Sequence, residues 1–318
     1  MSETELQIPI AHQGQRIDKV LAQLFPDYSR SKLCAWLKSG DITINGQSYK
    51  PDEKVWGGEQ VILHVNPAVH HQPIEAEDIP LDIVYEDEQV LVINKPAGLI
   101  VHPGAGNPQH TLVNALLHHH APLQHLPRAG IIHRLDKDTT GLLLVGKTLE
   151  AYTSLVRQMQ DRDIQRHYVA LVHGHVIAGG TLDTGYGRDP HNRLKMAVCT
   201  QGKQAITHYS VQKHYHVVTL LNIKLMTGRT HQIRVHMAHI NHAVIGDPLY
   251  HGRTGVRAGT DETLRQQLQQ FKRQALHACS LTFTHPSTHQ DITCTAPIPD
   301  DFQALLTLLD SERDTFNR

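Results

Sequence analysis

Three prolines in fifteen residues, NPAVHHQPIEAEDIP at 66–80, break this chain more firmly than any other stretch of it. Proline lacks a backbone N–H and fixes φ, so neither a helix nor a central strand can run through such a segment. A chain of 318 residues also exceeds what one small core organises, and two domains are expected. The expected boundaries are an N-terminal extension over 1–14, a small module over 15–72, an acidic, proline-bearing linker over 73–88, a large domain over 89–305 and a C-terminal tail over 306–318.

Before the break, QRIDKVLAQLF carries Ile17, Val20, Leu21 and Leu24 at helical spacing,. SRSKLCAWLKSG follows, with Ser29 as a possible cap, Leu33, Trp36 and Leu37 as an inner face and Gly40 as terminator,. DITINGQSYK sets Asn45-Gly46 between β-prone residues, a hairpin signal,. The expectation is a small α/β module with bases on exposed helical faces. Arg16, Lys19, Arg30, Lys32 and Lys38 stand there against Asp18 and Asp27.

Beyond the break, QVLVINKP, GLLLVGKT, HYVALVHG, AITHYSV, VTLLNIKLM and ALHACSLTFTH read as strands. TLVNALLHHH, LEAYTSLVRQMQ, RTHQIRVHMAHI and TLRQQLQQFKRQ read as helices between them, and a last helix precedes a frayed end. AITHYSVQKHY abuts HVVTLLNIKL as a hairpin would. The fold class is therefore α+β, with a mixed, mainly antiparallel sheet in the large domain rather than a doubly wound parallel one.

A net charge of −1 argues against a nucleic-acid partner only on average. IEAEDIPLDIVYEDEQ (74–89) holds seven acids and no base, whereas 16–38 holds five bases and two acids. Local patches decide steering. The N-terminus has neither a basic nor an apolar run, and no segment approaches the roughly 18 apolar residues of a membrane span. A cytoplasmic protein with no membrane partner is expected. Cys34, Cys199, Cys279 and Cys294 form no CxxC pair and read as reduced thiols,. Most of the 26 histidines read as exposed polar positions. With no heptad or long apolar patch, a monomer is the default.

Three stretches concentrate chemistry. In GIIHRLDKDTTGLLLVGKT (130–148), the apolar run Leu142–Val145 reads as a buried strand, with Asp136 and Asp138 emerging at its edge among cations. Drying a carboxylate raises its pKa, and a nearby arginine restores the anion. Spacing does not choose between the two, because residues two apart on extended chain point the same way. A salt-bridged turn is the plainer alternative. MTGRTHQIRVHMAH (226–239) can start a helix at Gly228 or Thr230 bearing Arg229, Gln232, Arg234 and His236, side chains suited to phosphate or base edges,; a solvated basic helix is the alternative. In RDIQRHYVALVHG (162–174), Tyr168 opens an apolar strand, as core packing or as a stacking platform,. HExxH and Walker patterns are absent, so no metal is expected. HPGAGN (102–107) reads as a turn beside the site.

The order of these features resembles one family closely. The module over 15–65 resembles the S4 RNA-binding domain. HRLDKDTTG, the tyrosine of RHYVALV and GRTHQIRVHMAHINHAVIGDPLYHG resemble the large-ribosomal-RNA branch of the pseudouridine synthases, from about Gln15 to Leu305. NKPAGLIVHPGAGN and RQALHACSLTFTHPSTHQDITCTAPIP resemble the members acting on clustered uridines of helix 69 of 23S ribosomal RNA. The resemblance implies an isomerase that needs no cofactor, with 23S ribosomal RNA or the large-subunit precursor as partner. It implies Asp136 as the catalytic carboxylate, Tyr168 stacked on the target uracil, and Arg234 paired with Asp136. Arg134 matches an arginine that fills the gap left by a flipped base in a relative. Arg229, Thr230, His231 and Gln232 are further candidates for substrate contact. Where many members carry lysine, this chain has Arg166, and no role is carried onto it. The remaining alternatives are a same-family synthase for other 23S or transfer RNA uridines, and a non-catalytic ribosome-assembly factor.

Overall fold

In this computed structural model the described residues are 2–25, 28, 30–65, 74–104, 106–192, 194–251 and 262–316. They group into two units, Met1–Pro73 and Ile74–Arg318.

In the first unit the apolar stripe does what its spacing requires. Helix α1 (Ile17–Leu24) buries Ile17, Val20 and Leu21, and α2 (Arg30–Ser39) buries Leu33, Trp36 and Leu37. Both close over a three-stranded antiparallel sheet of β1 (Ser2–Gln7), β2 (Ile42–Ile44) and β3 (Gln60–Val65), in the order β1-β3-β2. The Asn45-Gly46 turn forms as expected, with φ of 50° and 73° and reciprocal hydrogen bonds between Ile44 and Gln47. The N-terminal stretch expected to precede the module instead belongs to it. Ser2 pairs with Val65 and Gln7 with Gln60, and Ile8 is buried. Its short alternating run, SETELQIPI, is too polar to announce a strand until β3 offers an edge. Ser29, expected as the cap of α2, lies outside the described residues.

The second unit is built on a ten-stranded sheet. Its strands are β4 (Ile83–Glu86), β5 (Val90–Lys95), β6 (Thr140–Gly146), β7 (Gln165–His173), β8 (Gly180–Arg188), β9 (Met196–Val198), β10 (Lys203–His214), β11 (Val218–Leu225), β12 (Leu276–Thr284) and β13 (Asp291–Thr295). The order is β4-β5-β6-β12-β7-β11-β10-β8-β9, with β13 also on β12. Of the strand pairings described, only β6 with β12 is parallel. Helices α3 (Leu112–His119), α4 (Leu149–Asp161), α5 (Gln232–His239), α6 (Glu262–Gln270) and α7 (Asp300–Phe316) accompany it.

Continuous apolar runs arise because both faces of the central strands are covered. Leu91, Ile93, Leu143 and Val145 enter one core, while their neighbours Val90, Val92, Leu142 and Leu144 enter another. Two expected boundaries are corrected. The acidic stretch read as linker contains β4, whose Ile83 pairs with Ile93. The tail read from 306 is helix, and Leu306 and Leu309 are buried with the main core. Strand β8 carries glycine and polar residues and β9 is only three residues long, so no apolar run marked them.

One close approach sets up the site. Gly141 has φ of +110°, and a Cβ there would stand 2.2 Å from the Ala278 carbonyl oxygen. Only glycine lets β6 begin beside β12, where Thr140 lies opposite His277 and their side chains hydrogen-bond at 2.9 Å,. The loop before β6 is HRLDKD.

Candidate active site

Asp136 sits in that loop, where Thr139 donates its backbone N–H to the Asp136 carbonyl. The preceding strand fixes the same loop from behind. Lys95 at the end of β5 is 1% exposed, and its ammonium donates to the carbonyls of Pro96 (2.7 Å), Leu99 (2.9 Å) and Lys137 (2.8 Å). Burial lowers its pKa to about 8, against the pull of Asp138 and Asp136,.

Helix α5 brings the cation. His231 precedes it in a left-handed conformation, and Arg234 follows in the first turn. The Arg234 guanidinium donates through Nη1 to Asp136 Oδ2 at 2.9 Å. Its other edge is clamped by Asp247, with Nε to Oδ2 at 2.6 Å and Nη2 to Oδ1 at 2.9 Å. The Asp247 side chain is fully buried and also accepts the N–H groups of Leu249 and Tyr250. Burial alone would raise the Asp247 pKa; Arg234 and the two amides overcome it and hold it below the usual range. Burial alone would likewise lower that of Arg234, and the two carboxylates raise it instead. This geometry leaves the guanidinium no freedom to turn.

Asp136 Oδ1 remains open, with no hydrogen bond to it among the described residues. His231 Nε2 lies 3.8 Å away, while its Nδ1 is 2.8 Å from the Tyr250 hydroxyl. Burial lowers the His231 pKa more than Asp136 raises it, so the imidazole is neutral. Tyr168, on β7 opposite Ile223 and Ala278, is 4% exposed, and burial raises its pKa. It lines two cavities together with Asp136. The smaller, about 50 Å³, is shared with Arg234 and His231; the larger cleft, about 690 Å³, carries Arg128, Arg134, Arg162, Arg166 and Arg229. Five guanidinia around one carboxylate make an electropositive cleft with an anion at its floor. Such an arrangement admits a polyanion and presents a carboxylate oxygen to it as nucleophile or base.

The family model described as RNA pseudouridylate synthase matches residues 89–239, and that of the S4 domain matches 15–61. Full-length relatives agree with both. The chain is 48% identical over 316 residues to the ribosomal large subunit pseudouridine synthase D of Pseudomonas aeruginosa, covering 99% of this chain and 98% of that one. It is 51% identical over 298 residues to the enzyme of that name from Escherichia coli (strain K12), covering 93% and 91%. The chain belongs to the RNA pseudouridylate synthase family. It is a pseudouridine synthase, an isomerase, with an N-terminal S4 domain. The human RNA pseudouridylate synthase domain containing 4 superposes with a TM-score of 0.55 at 23% identity, covering 72% of this chain and 92% of that chain, a likeness of fold.

The synthase brings together Asp136, Tyr168, Arg234, Arg134, Arg229, Thr230 and His231 around the two cavities. Asp138 lines neither, and its carbonyl accepts a hydrogen bond from Arg273. Gln232 lines the smaller cavity as well. It is 2% exposed, and its amide is used internally by Thr227, the Arg229 N–H, Ile206 and Thr207. Its side-chain oxygen thereby holds the Arg229 backbone in place. The helix begins at Gln232 rather than at Gly228 or Thr230, and His236 is fully buried between Thr184 and Thr207. His277 and His285 are also buried, against the expectation for most histidines.

In the S4 domain, Arg16 and Arg30 are about half-exposed and share the buried Asp18, at 3.0 and 2.6 Å. Lys19 and Lys38 are exposed; the Lys32 side chain lies outside the described ones. Sequence reasoning missed Asp247, whose signal was the GDPLY stretch, and it missed Lys95, Arg128, Arg162 and the cleft-lining His102 and His133.

Proposed function

We propose that this synthase converts uridine to pseudouridine in 23S ribosomal RNA, at the clustered uridines of helix 69, with Asp136 as the catalytic carboxylate. The C1′–N1 bond breaks, the base turns, and a C1′–C5 bond forms; N1 gains a proton and C5 loses one. Product and substrate are isomers, so no electron carrier or group donor enters the balance. The observation that carries this reading is the Arg234 clamp: Asp247 fixes the guanidinium, which fixes Asp136 Oδ2 and leaves Oδ1 facing the cleft.

Asp136 acts at the ribose–base junction of a nucleotide taken out of its stack, an extraction that costs a few kcal/mol and less in a loop. The Tyr168 ring is the wall on which the uracil rests while it turns. Arg134, exposed at the mouth of both cavities, takes the space that the base vacates. The names of the relatives support a large-subunit ribosomal target, and recognition of unpaired loops suits helix 69.

The test compares Asp136→Asn with wild type on a helix-69 stem-loop, reading pseudouridine by carbodiimide labelling. Complete loss of product is expected, while Asp138→Asn retains measurable activity. Undiminished product from Asp136→Asn removes the carboxylate from the mechanism.

A further inference from the structure

Arg166 is a buried cation in the wall of the cleft. It is 6% exposed, and its Nε has no hydrogen-bond partner. Among the described residues its guanidinium has no ion pair either. Asp136, the acid in the same cleft, is engaged by Arg234. The titratable groups that interact with it electrostatically are Tyr168 and His133. Burial, with Arg166 adding to it, drives the His133 pKa to about 3, so that imidazole is neutral. Its Nδ1 is unpartnered as well, as is Nε2 of His102 on the same wall. Three of the five orphaned buried side-chain atoms among the described residues therefore line one cleft, which singles it out as the place where partners arrive.

An unpaired ion in a dry site is costly, and proteins accept such groups where a ligand supplies the countercharge. The surroundings keep the seat open. A Cβ on Gly228 would lie 2.7 Å from Arg166 Nη1, so glycine there gives the guanidinium its room. Arg166 and Tyr168 are two residues apart on β7 and face the same side, about 7 Å along the strand. That is close to the reach from a nucleobase to its own phosphate.

Resting on the RNA reading above, we propose that Arg166 is the seat of a backbone phosphate flanking the nucleotide whose base lies against Tyr168. The planar guanidinium suits two phosphate oxygens at once, which an ammonium in the same place does not. Neutral His102 and His133 then face ribose hydroxyls or base edges without competing for the anion.

The experiment measures binding and single-turnover conversion of the helix-69 stem-loop by wild type, Arg166→Gln and Arg166→Lys across a salt series. Stem-loops with one methylphosphonate at each phosphate flanking the target uridine complete the set. Arg166→Gln is expected to lose at least about tenfold in affinity and to flatten the slope of log K against log salt by about 0.7–0.9, one phosphate contact. Arg166→Lys should keep the slope and lose part of the affinity. One methylphosphonate should weaken wild type and leave Arg166→Gln unchanged. The melting temperature of free Arg166→Gln should equal or exceed that of wild type, because an unpaired buried charge is gone. Unchanged affinity and slope in Arg166→Gln overturns the phosphate seat. So does a wild type indifferent to every single methylphosphonate, which decides the matter even if Arg166→Gln does not fold. Wild type that forms pseudouridine while the Arg166 variants bind like it overturns this seat alone; wild type that forms none overturns the RNA reading itself.

Discussion

The S4 domain and the catalytic domain each contain an arginine–aspartate triad, and the two are inverted. In the first, one buried carboxylate, Asp18, holds two half-exposed guanidinia, Arg16 and Arg30. In the second, one buried guanidinium, Arg234, holds two carboxylates, Asp247 out of solvent and Asp136 facing the cleft. The single charge is buried in each case; both paired guanidinia reach solvent in the first triad, whereas only Asp136 of the two carboxylates does in the second. The same chemistry thus presents cations on one surface and a fixed anion in the other. Depth decides the energetics: exposed guanidinia can turn to water when their partner goes, and a sealed carboxylate cannot.

The sharpest contrast comes from deleting the centre of each triad. Arg234→Met strands the Asp247 carboxylate in the core, so a loss of about 3–5 kcal/mol in urea unfolding is expected, with product formation abolished as Asp136 loses its alignment. An Arg234→Met protein as stable as wild type would mean that Asp247 is not sealed.

Acid separates the domains next. His102, His133 and His236 have pKa values of about 4, 3 and 4, lowered by burial. The unfolded chain takes up their protons near the ordinary 6.5 and the folded chain does not. Stability from these groups is therefore full above about pH 6.5 and is lost as pH falls toward 4. The fully buried His236 alone contributes about 3 kcal/mol. In the S4 domain the lowered carboxylate of Asp18 acts only as pH falls below its ordinary 3.8. Calorimetry between pH 6.5 and 4 should show the catalytic domain's transition falling ahead of the other, and parallel shifts would break the comparison.

The smallest effect belongs to Asp18→Asn. Its arginines are about half-exposed and can be solvated, so a cost of about 1 kcal/mol or less is expected, seen as a small shift in the S4 domain's transition. A loss as large as that of Arg234→Met would show that the first triad is as sealed as the second.

Much of the fold was legible. Long apolar runs such as GLLLVGKT and VTLLNIKLM declared strands because both their faces are buried, and LEAYTSLVRQMQ declared α4 by period. What escaped was structure that borrows its stability from a neighbour. SETELQIPI is a strand only beside β3, IVYE only beside β5, β8 carries no apolar signature, and β9 is three residues long. At the site, the HRLD, HYVALV and HQIRVH stretches marked the neighbourhood, and family resemblance marked individual residues. The internal hydrogen bonds of Gln232 were not legible, because an amide suited to a base edge serves a backbone equally well.

The order of residues alone determined the long apolar strands and the periodic helices, the break near the proline-bearing stretch, and which side chains have the chemistry to act. Periodicity and turn residues are local, and local physics reads them. Tertiary structure decided which aspartate faces the cleft, because Arg234 lies 98 positions from Asp136 and its clamp on Asp247 exists only once α5 has docked. It also decided that Arg166 is left unpaired, since a charge's partners, and its access to water, are set by what packs around it in space.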